Sequence, residues 1–402
     1  MEATRRKSVP RIEHDFVAKL RQPHIADHVD DVVAALANDD AGFPGGAPIS
    51  INLDLTTACN YRCDHCIDYE ILNSGPGYDQ GVVLSSLVSM TLAGLRSVIL
   101  IGGGEPTVHP HFANVVEAIK MLGLQCAIVS NGGRPEKLRR VATLLTGGDW
   151  VRLSLDAGTD ETFQAMHQPV RPVRLEEICE SVREAKKDNP AARWGFSFIV
   201  SWSGLSGPNE RPLETNVHEI AAAAALAKDS GFDYISFKPM LQRDAEGAET
   251  IAWPPGVDGE RLRAELTHQL EKAGALRAST FQVLESLNLD AAAKGADSHL
   301  RDQPSRCAMH FFRQVLTPTG VYGCAAYRGD PKDRLGEADA YAGVRPTLAT
   351  GARTHAHVEA FDAAHECRNI TCIYNSANRW VDSLRETGEA TAAGAQIGDY
   401  YL

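Results

Sequence analysis

The sequence has no run of eighteen apolar residues, so nothing in it reads as a membrane-spanning helix. Its first residues, MEATRRKSVPRIEHD, carry basic side chains with no apolar stretch behind them, and no secretory signal is expected there. Positive charge is in deficit. Forty Lys and Arg face fifty-two Asp and Glu, a net charge of −12. That balance argues against nucleic acid or an anionic membrane as the main partner. Low-complexity tracts and short-period repeats are lacking too, apart from an alanine-rich stretch at 221–227. Cysteine is scarce at nine in 402 residues. An odd number of thiols without an export signal points to a reducing cytoplasm, where clustered cysteines mean metal or catalysis more often than disulfides.

The composition is that of a globular protein, with 44% hydrophobic and 23% charged residues. Phe16, Leu20, Val29, Val32, Val33 and Leu36 recur at helical spacing, so residues 13–37 are expected to be helical, and GFPGGAP (42–48) to act as a linker. From residue 50 a pattern repeats: an apolar run, a polar or glycine-rich turn, an amphipathic stretch. The runs fall at 50–56, 96–102, 124–130, 150–156, 194–200 and 232–238. Helical segments at 112–122, 135–145 and 175–186 lie between them. Strands alternating with helices signal βαβ units and a parallel sheet. The fold class is α/β, a partial (β/α)6 TIM-like barrel with functional groups at the C-terminal strand ends. Residues 258–288 read as one or two helices, and 311–327 as a β-hairpin turning at Thr317–Gly320. A helix follows at 376–386. The expected division is an N-terminal helical extension (1–48), the barrel (49–240), a helical connection (241–299), a small hairpin-plus-helix domain (300–385) and a tail (386–402).

ACNYRCDHC (58–66) places Cys59, Cys63 and Cys66 just after the first strand. Three thiolates on a short loop suit a [4Fe–4S] cube whose fourth iron stays open. A zinc knuckle is the rival, but His65 is poorly placed to complete a tetrahedron. GGGEP (102–106) ends the second strand. Its glycines allow close backbone approach, and Glu105 adds a carboxylate that could receive an ammonium group. SNGG (130–133) and RLSLDAG (152–158) put Ser130, Asn131, Ser154 and Asp156 at the same barrel mouth, with Arg171 following.

The C-x3-C-x2-C string, its place after the first strand and these companions resemble the radical S-adenosylmethionine (radical SAM) superfamily over about residues 50–240. The resemblance implies that the three-cysteine cluster binds S-adenosylmethionine and cleaves it to a 5′-deoxyadenosyl radical, which takes a hydrogen atom from substrate. It implies further that Gly103, Gly104 and Glu105 receive the methionyl amine. Ser130, Asn131, Ser154 and Asp156 would contact ribose, adenine and carboxylate, and Arg171 would pair with that carboxylate. An external one-electron donor such as flavodoxin or ferredoxin is implied as partner.

Cys307, Cys324, Cys367 and Cys372 form a second set, with the hairpin able to hold the first two near one metal. C-x12-G-x3-C followed by C-x4-C resembles the twitch domain, the half-length relative of the SPASM domain, which binds one auxiliary [4Fe–4S] cluster through four cysteines. The interval after the glycine is one residue shorter than usual and the further cysteines of a full SPASM domain are absent, so one auxiliary cluster is expected. A structural zinc is the alternative. Cys126 and Cys179 sit on apolar faces and read as core. Lys238, at the end of the sixth strand, and Asp68, Tyr69 and Glu70, after the cluster loop, are candidates for base or substrate anchor; Lys238 and Tyr69 are the catalytic choices. His109 reads as a loop residue.

Three functions follow. The first is oxidation of an unactivated C–H in a small sugar- or cyclitol-like molecule, with the auxiliary cluster taking an electron. The second is crosslinking or epimerisation of a ribosomally made peptide. The third, a non-catalytic iron–sulfur or zinc scaffold, leaves the polar strand ends without a purpose.

Overall fold

The computed structural model describes residues 15–37, 46–243, 249–253, 256 and 258–402. The reading of the first fourteen residues and most of the proposed linker (42–45) lie outside them.

Six strands follow the apolar runs closely: β1 Ser50–Asp54, β2 Ser97–Ile101, β3 Gln125–Ser130, β4 Trp150–Ser154, β5 Arg193–Val200 and β6 Tyr234–Pro239. They pair in parallel and in chain order. Period-two alternation assigns their two faces. Ile51, Leu53, Val98, Leu100, Ile128, Val151, Leu153, Phe196 and Phe198 pack in the principal core. The alternate residues, among them Asn52, Ile99, Ile101, Trp150, Arg152 and Lys238, line the barrel lumen. The helix Phe112–Met121 shows the complementary pattern. Its Phe112, Val115, Val116 and Ile119 form one buried stripe, and Lys120 in its last turn reaches Asp149.

The sheet does not stop at six strands. After a short antiparallel pair, β7 Leu241–Arg243 with β8 Glu249–Ile251, comes the helix Gly259–Gly274 and then β9 Gln282–Glu285, which joins the free edge of β6 in parallel. On the opposite edge, β10 Arg313–Thr317 pairs in parallel with β1, Ser50 opposite Arg313. Eight parallel strands therefore run β10-β1-β2-β3-β4-β5-β6-β9. The antiparallel strands β11 Gly320–Tyr322 and β12 Arg334–Gly336 extend the β10 edge. Two expectations change here. Part of 258–288 is strand rather than helix, and the C-terminal hairpin continues the barrel sheet instead of standing apart. The edges of β1 and β6 carry unpaired backbone groups that β10 and β9 satisfy.

The floor of the barrel is closed by the last residues. Ser97 Oγ donates to Tyr400 O at 2.8 Å, and the Gln125 amide holds Gly398 O and Tyr400 N. Tyr401 enters the lumen, packs with Ile99 and Ala127, and bonds Gly148 O at 3.2 Å. The helices Phe16–Leu20 and Pro23–Ala37 share a second core with Asn375–Thr387.

Candidate active site at the barrel mouth

The cysteine loop is docked by backbone bonds. Gly104 N donates to Thr56 O and Glu105 N to Ala58 O, each at 2.9 Å. A Cβ on Gly104 would lie 2.2 Å from Ala58 O, so only glycine allows this approach. The glycines of GGGEP thus seat the loop directly.

All nine thiols are free. Burial raises Cys59, Cys63 and Cys66, and within the set Cys63 and Cys66 are raised further by their neighbours' negative charge, Cys66 to about 12. Three thiols that repel one another's ionised forms are a donor set that a soft cationic cluster satisfies. Among the described residues His65 and His167 lie close enough to Cys63 to share a metal ion with it, but both face Asp156. His65 Nε2 is taken by Asp156 Oδ2 at 3.2 Å, and His167 Nε2 lies 3.3 Å from the same oxygen. The cysteines thus fit a cube with an open corner, and the two imidazoles form its surroundings.

The two predicted cofactor carboxylates are otherwise engaged. Glu105 Oε1 accepts from Thr107 N, Thr107 Oγ1 and Ser130 Oγ, and Oε2 from Asn131 N. It fastens β2 to β3, with three bonds on Oε1 and one on Oε2. Asp156 is fully buried at φ +51°, and its Oδ1 accepts from Ile199 N at 2.7 Å. Despite burial, bonds from His167 and His65 hold its carboxyl well below the usual range. Asn131 reaches the cysteine loop, with Nδ2 3.0 Å from Asn60 Oδ1 and 3.8 Å from Cys59 Sγ. Ser154 is half-buried at the end of β4, and Arg171 is exposed.

Beside Cys66 opens a cavity of about 730 Å³. The cluster loop, loop 206–210, residues 240–243 and segment Ala326–Asp330 wall it. Lys238 lies in the lumen cavity of about 240 Å³ below, and Tyr69 is 38% exposed outside the mouth. The two predicted catalytic groups are thus separated from the cavity that meets Cys66, whereas Asp68 and Glu70 line it. At its base Arg328 makes a close charge contact with Asp54 Oδ2 at 2.7 Å and bonds Asp68 Oδ2 at 2.5 Å. Arg243 faces Asp68 at 3.5 Å and Glu249 at 3.8 Å. Burial, opposed by Arg328 and helped by Asp68, raises Asp54 to about 7. Burial likewise lifts Glu249 to about 7, against Arg243. None of Asp54, Arg243, Glu249 and Arg328 was anticipated. Asp54 alone had a signal, a charge on the inward face of an apolar strand.

Cys307, Cys324, Cys367 and Cys372 line a single cavity with His310, Tyr327 and Tyr374. Four thiols converging among apolar neighbours such as Phe361 and Ile370 suit one closed cluster. Cys126 and Cys179 are buried in the main core, as expected. His109 is buried, its Nε2 3.0 Å from Tyr78 O.

With this geometry in place, residues 53–206 match the family model of the Radical SAM superfamily. The chain carries a radical SAM domain. Proteins of this superfamily use S-adenosylmethionine and a [4Fe–4S] cluster. The S-adenosylmethionine-dependent nucleotide dehydratase of a Thermoplasmatales archaeon is 30% identical over 156 residues, 38% of this chain and 54% of that protein. The tungsten-containing aldehyde ferredoxin oxidoreductase cofactor-modifying protein of Pyrococcus furiosus is 34% identical over 221 residues, 53% and 58%. The chain thus spans little more than half the length of these relatives. Among solved structures, Streptococcus suis SuiB bound to precursor peptide SuiA shares the fold at a TM-score of 0.53 and 13% identity, covering 73% of this chain and 63% of that one. No helix among the described residues is long and apolar enough to cross a membrane.

Proposed function

We propose that this chain is a radical SAM oxidoreductase that removes hydrogen from an unactivated C–H of a small polar substrate held in the mouth cavity, with net two-electron oxidation. Cys59, Cys63 and Cys66 would hold the first cluster, and Gly103, Gly104, Asn131 and Ser154 would line the S-adenosylmethionine site. Cys307, Cys324, Cys367 and Cys372 would hold an auxiliary cluster. When bound, these groups supply hydrogen-atom abstraction by a 5′-deoxyadenosyl radical at one site and one-electron acceptance at the other.

One observation carries the reading: Tyr327 lines both the mouth cavity and the four-cysteine cavity. A substrate in the mouth would have Cys66 on one side and, through a single ring, the second site on the other. Tyr327 is fixed in that wall by its hydroxyl, which donates to Glu366 O at 2.6 Å. Arg328 and Arg243 would orient anionic or hydroxyl oxygens of the substrate. Asp54, raised by burial to about 7 and so partly ionised near neutral pH, is the buried group beneath Arg328 whose carboxylate form would take up the proton released as a hydroxyl becomes a carbonyl.

A peptide substrate is the second reading, supported by the fold shared with SuiB in its complex with a precursor peptide. Reconstituted protein given dithionite and S-adenosylmethionine should release 5′-deoxyadenosine, and C63A should not. Release should rise with the small-molecule fraction of a cell extract; stimulation by the peptide fraction alone selects the second reading. No release, with cluster spectra unchanged by S-adenosylmethionine, overturns both.

A further inference from the structure

Both cysteine sites are backed by a buried aspartate set between two histidines. At the first, Cys63 Sγ is 3.3 Å from His167 Nδ1, and His167 and His65 converge on Asp156. At the second, the carboxylate is Asp333, fully buried. Its Oδ2 accepts from Cys324 N at 2.6 Å, and its backbone oxygen from Gly323 N at 3.1 Å. Oδ1 lies 2.9 Å from His357 Nε2 and 3.6 Å from His310 Nε2, and the two rings stack at 5.1 Å. The other nitrogen of His310, Nδ1, is buried without an aligned partner. Cys307 and His310 line the same cavity, and His310 N donates to Cys307 O at 3.4 Å, so thiol and ring stand on one tight turn.

His310, Asp333 and His357 lie close enough to hold a metal ion between them. Their bonds are already spent otherwise. Asp333 uses Oδ2 on the Cys324 amide and Oδ1 on His357, so an ion taking Oδ1 would displace the His357 contact. A hydrogen-bonding role leaves all of them intact and gives His310 Nδ1 its missing acceptor.

We propose that His310, oriented by Asp333, is a positioning residue that donates a hydrogen bond to the Cys307 thiolate of the auxiliary cluster and sets that cluster's reduction potential. The inference rests on the four-cysteine reading above. Hydrogen bonds to cluster sulfurs stabilise the more negative, reduced state and raise the potential, and outer groups also fix ligand orientation. A site that takes an electron from a substrate radical benefits from that bias. Asp333 gives the arrangement its rigidity, because it ties the start of the Cys324 turn and the imidazole of His310 to one carboxylate.

The test uses full-length C59A/C63A/C66A protein, reconstituted anaerobically, in which only the second site contributes to spectra. An EPR-monitored redox titration compares it with the same chain carrying H310F or H310Q. H310F should keep its iron and titrate at a more negative potential, while H310Q, whose amide still donates, should lie nearer the parent. Iron lost in H310F but kept in H310Q also supports the role. An unchanged potential with full iron in H310F overturns it, as does equal iron loss in both variants with the parent's circular dichroism retained. A parent that binds no iron overturns the four-cysteine reading itself, and a cobalt(II) spectrum abolished by H357F would restore the metal-site alternative.

Discussion

At Asp54, burial and an arginine pull in opposite directions, and burial wins. The carboxyl titrates near 7 when folded against 3.8 ordinarily. The folded state therefore favours the neutral acid. The associated stabilisation is complete below about pH 4 and is lost as pH rises through about 7, amounting to about 4 kcal/mol. D54N removes that dependence. In urea unfolding of the metal-free chain, the stability difference should move in favour of D54N by several kcal/mol between pH 4 and 7, an order-of-magnitude figure from the same linkage. A constant difference would show that Asp54 is already ionised when folded. Residues of this kind were only partly legible in the sequence. Asp54 stands out as a charge on an apolar strand, and the cysteines announce themselves by spacing. Arg328, His310, His357 and Asp333 belong to unremarkable stretches and gain meaning only through partners far away in the chain. Glu105 and Asp156 were visible as carboxylates, but their internal partners were not.

The elements that place the site are short and depend on backbone contact. Gly104 shows this most directly, because a methyl group there would meet Ala58 O at 2.2 Å. G104A should undock the cysteine loop from the end of β2 while leaving the second site intact, so iron should fall from about eight to about four per chain. Iron at the parent level would mean that the loop is held by its thiolate ligands alone. Strands β1 to β6 were legible because each is an apolar run bounded by turn residues, and the β10–β11 hairpin because Gly320 marks its turn. The parallel pairing of β10 with β1 leaves no local trace, since parallel partners share no turn. β9 is four residues long and follows a helix, so periodicity merges the two.

Across the whole molecule, the barrel is organised from both ends. The mouth brings together groups from the cluster loop, β7 and the segment after Cys324, and the floor is sealed by Tyr401. Its ring is 4% exposed, stacks edge-on to Trp150 at 5.3 Å, and has no helix of its own to hold it. Y401A should cost about 3–5 kcal/mol in denaturant unfolding. A loss under about 1 kcal/mol would mean that the tail docks without supporting the barrel. The lumen also carries Arg152, Lys238 and Arg313, so opening the floor would admit water to a cationic interior.

The pairing of β1 with β10 also bears on how the chain is made. Ser50 and Arg313 are register partners roughly 260 residues apart. A ribosome adding about 5–20 residues per second needs roughly 13 to 50 s to supply β10 after β1 has emerged. Throughout that interval β1 presents an open strand edge, and the first cysteine loop hangs from it without its roof of residues 326–330. The four-cysteine cavity, which needs Cys372 as well as Cys307, can close only later still, so an iron centre proposed there would form after the barrel strands β1 to β6 have been made.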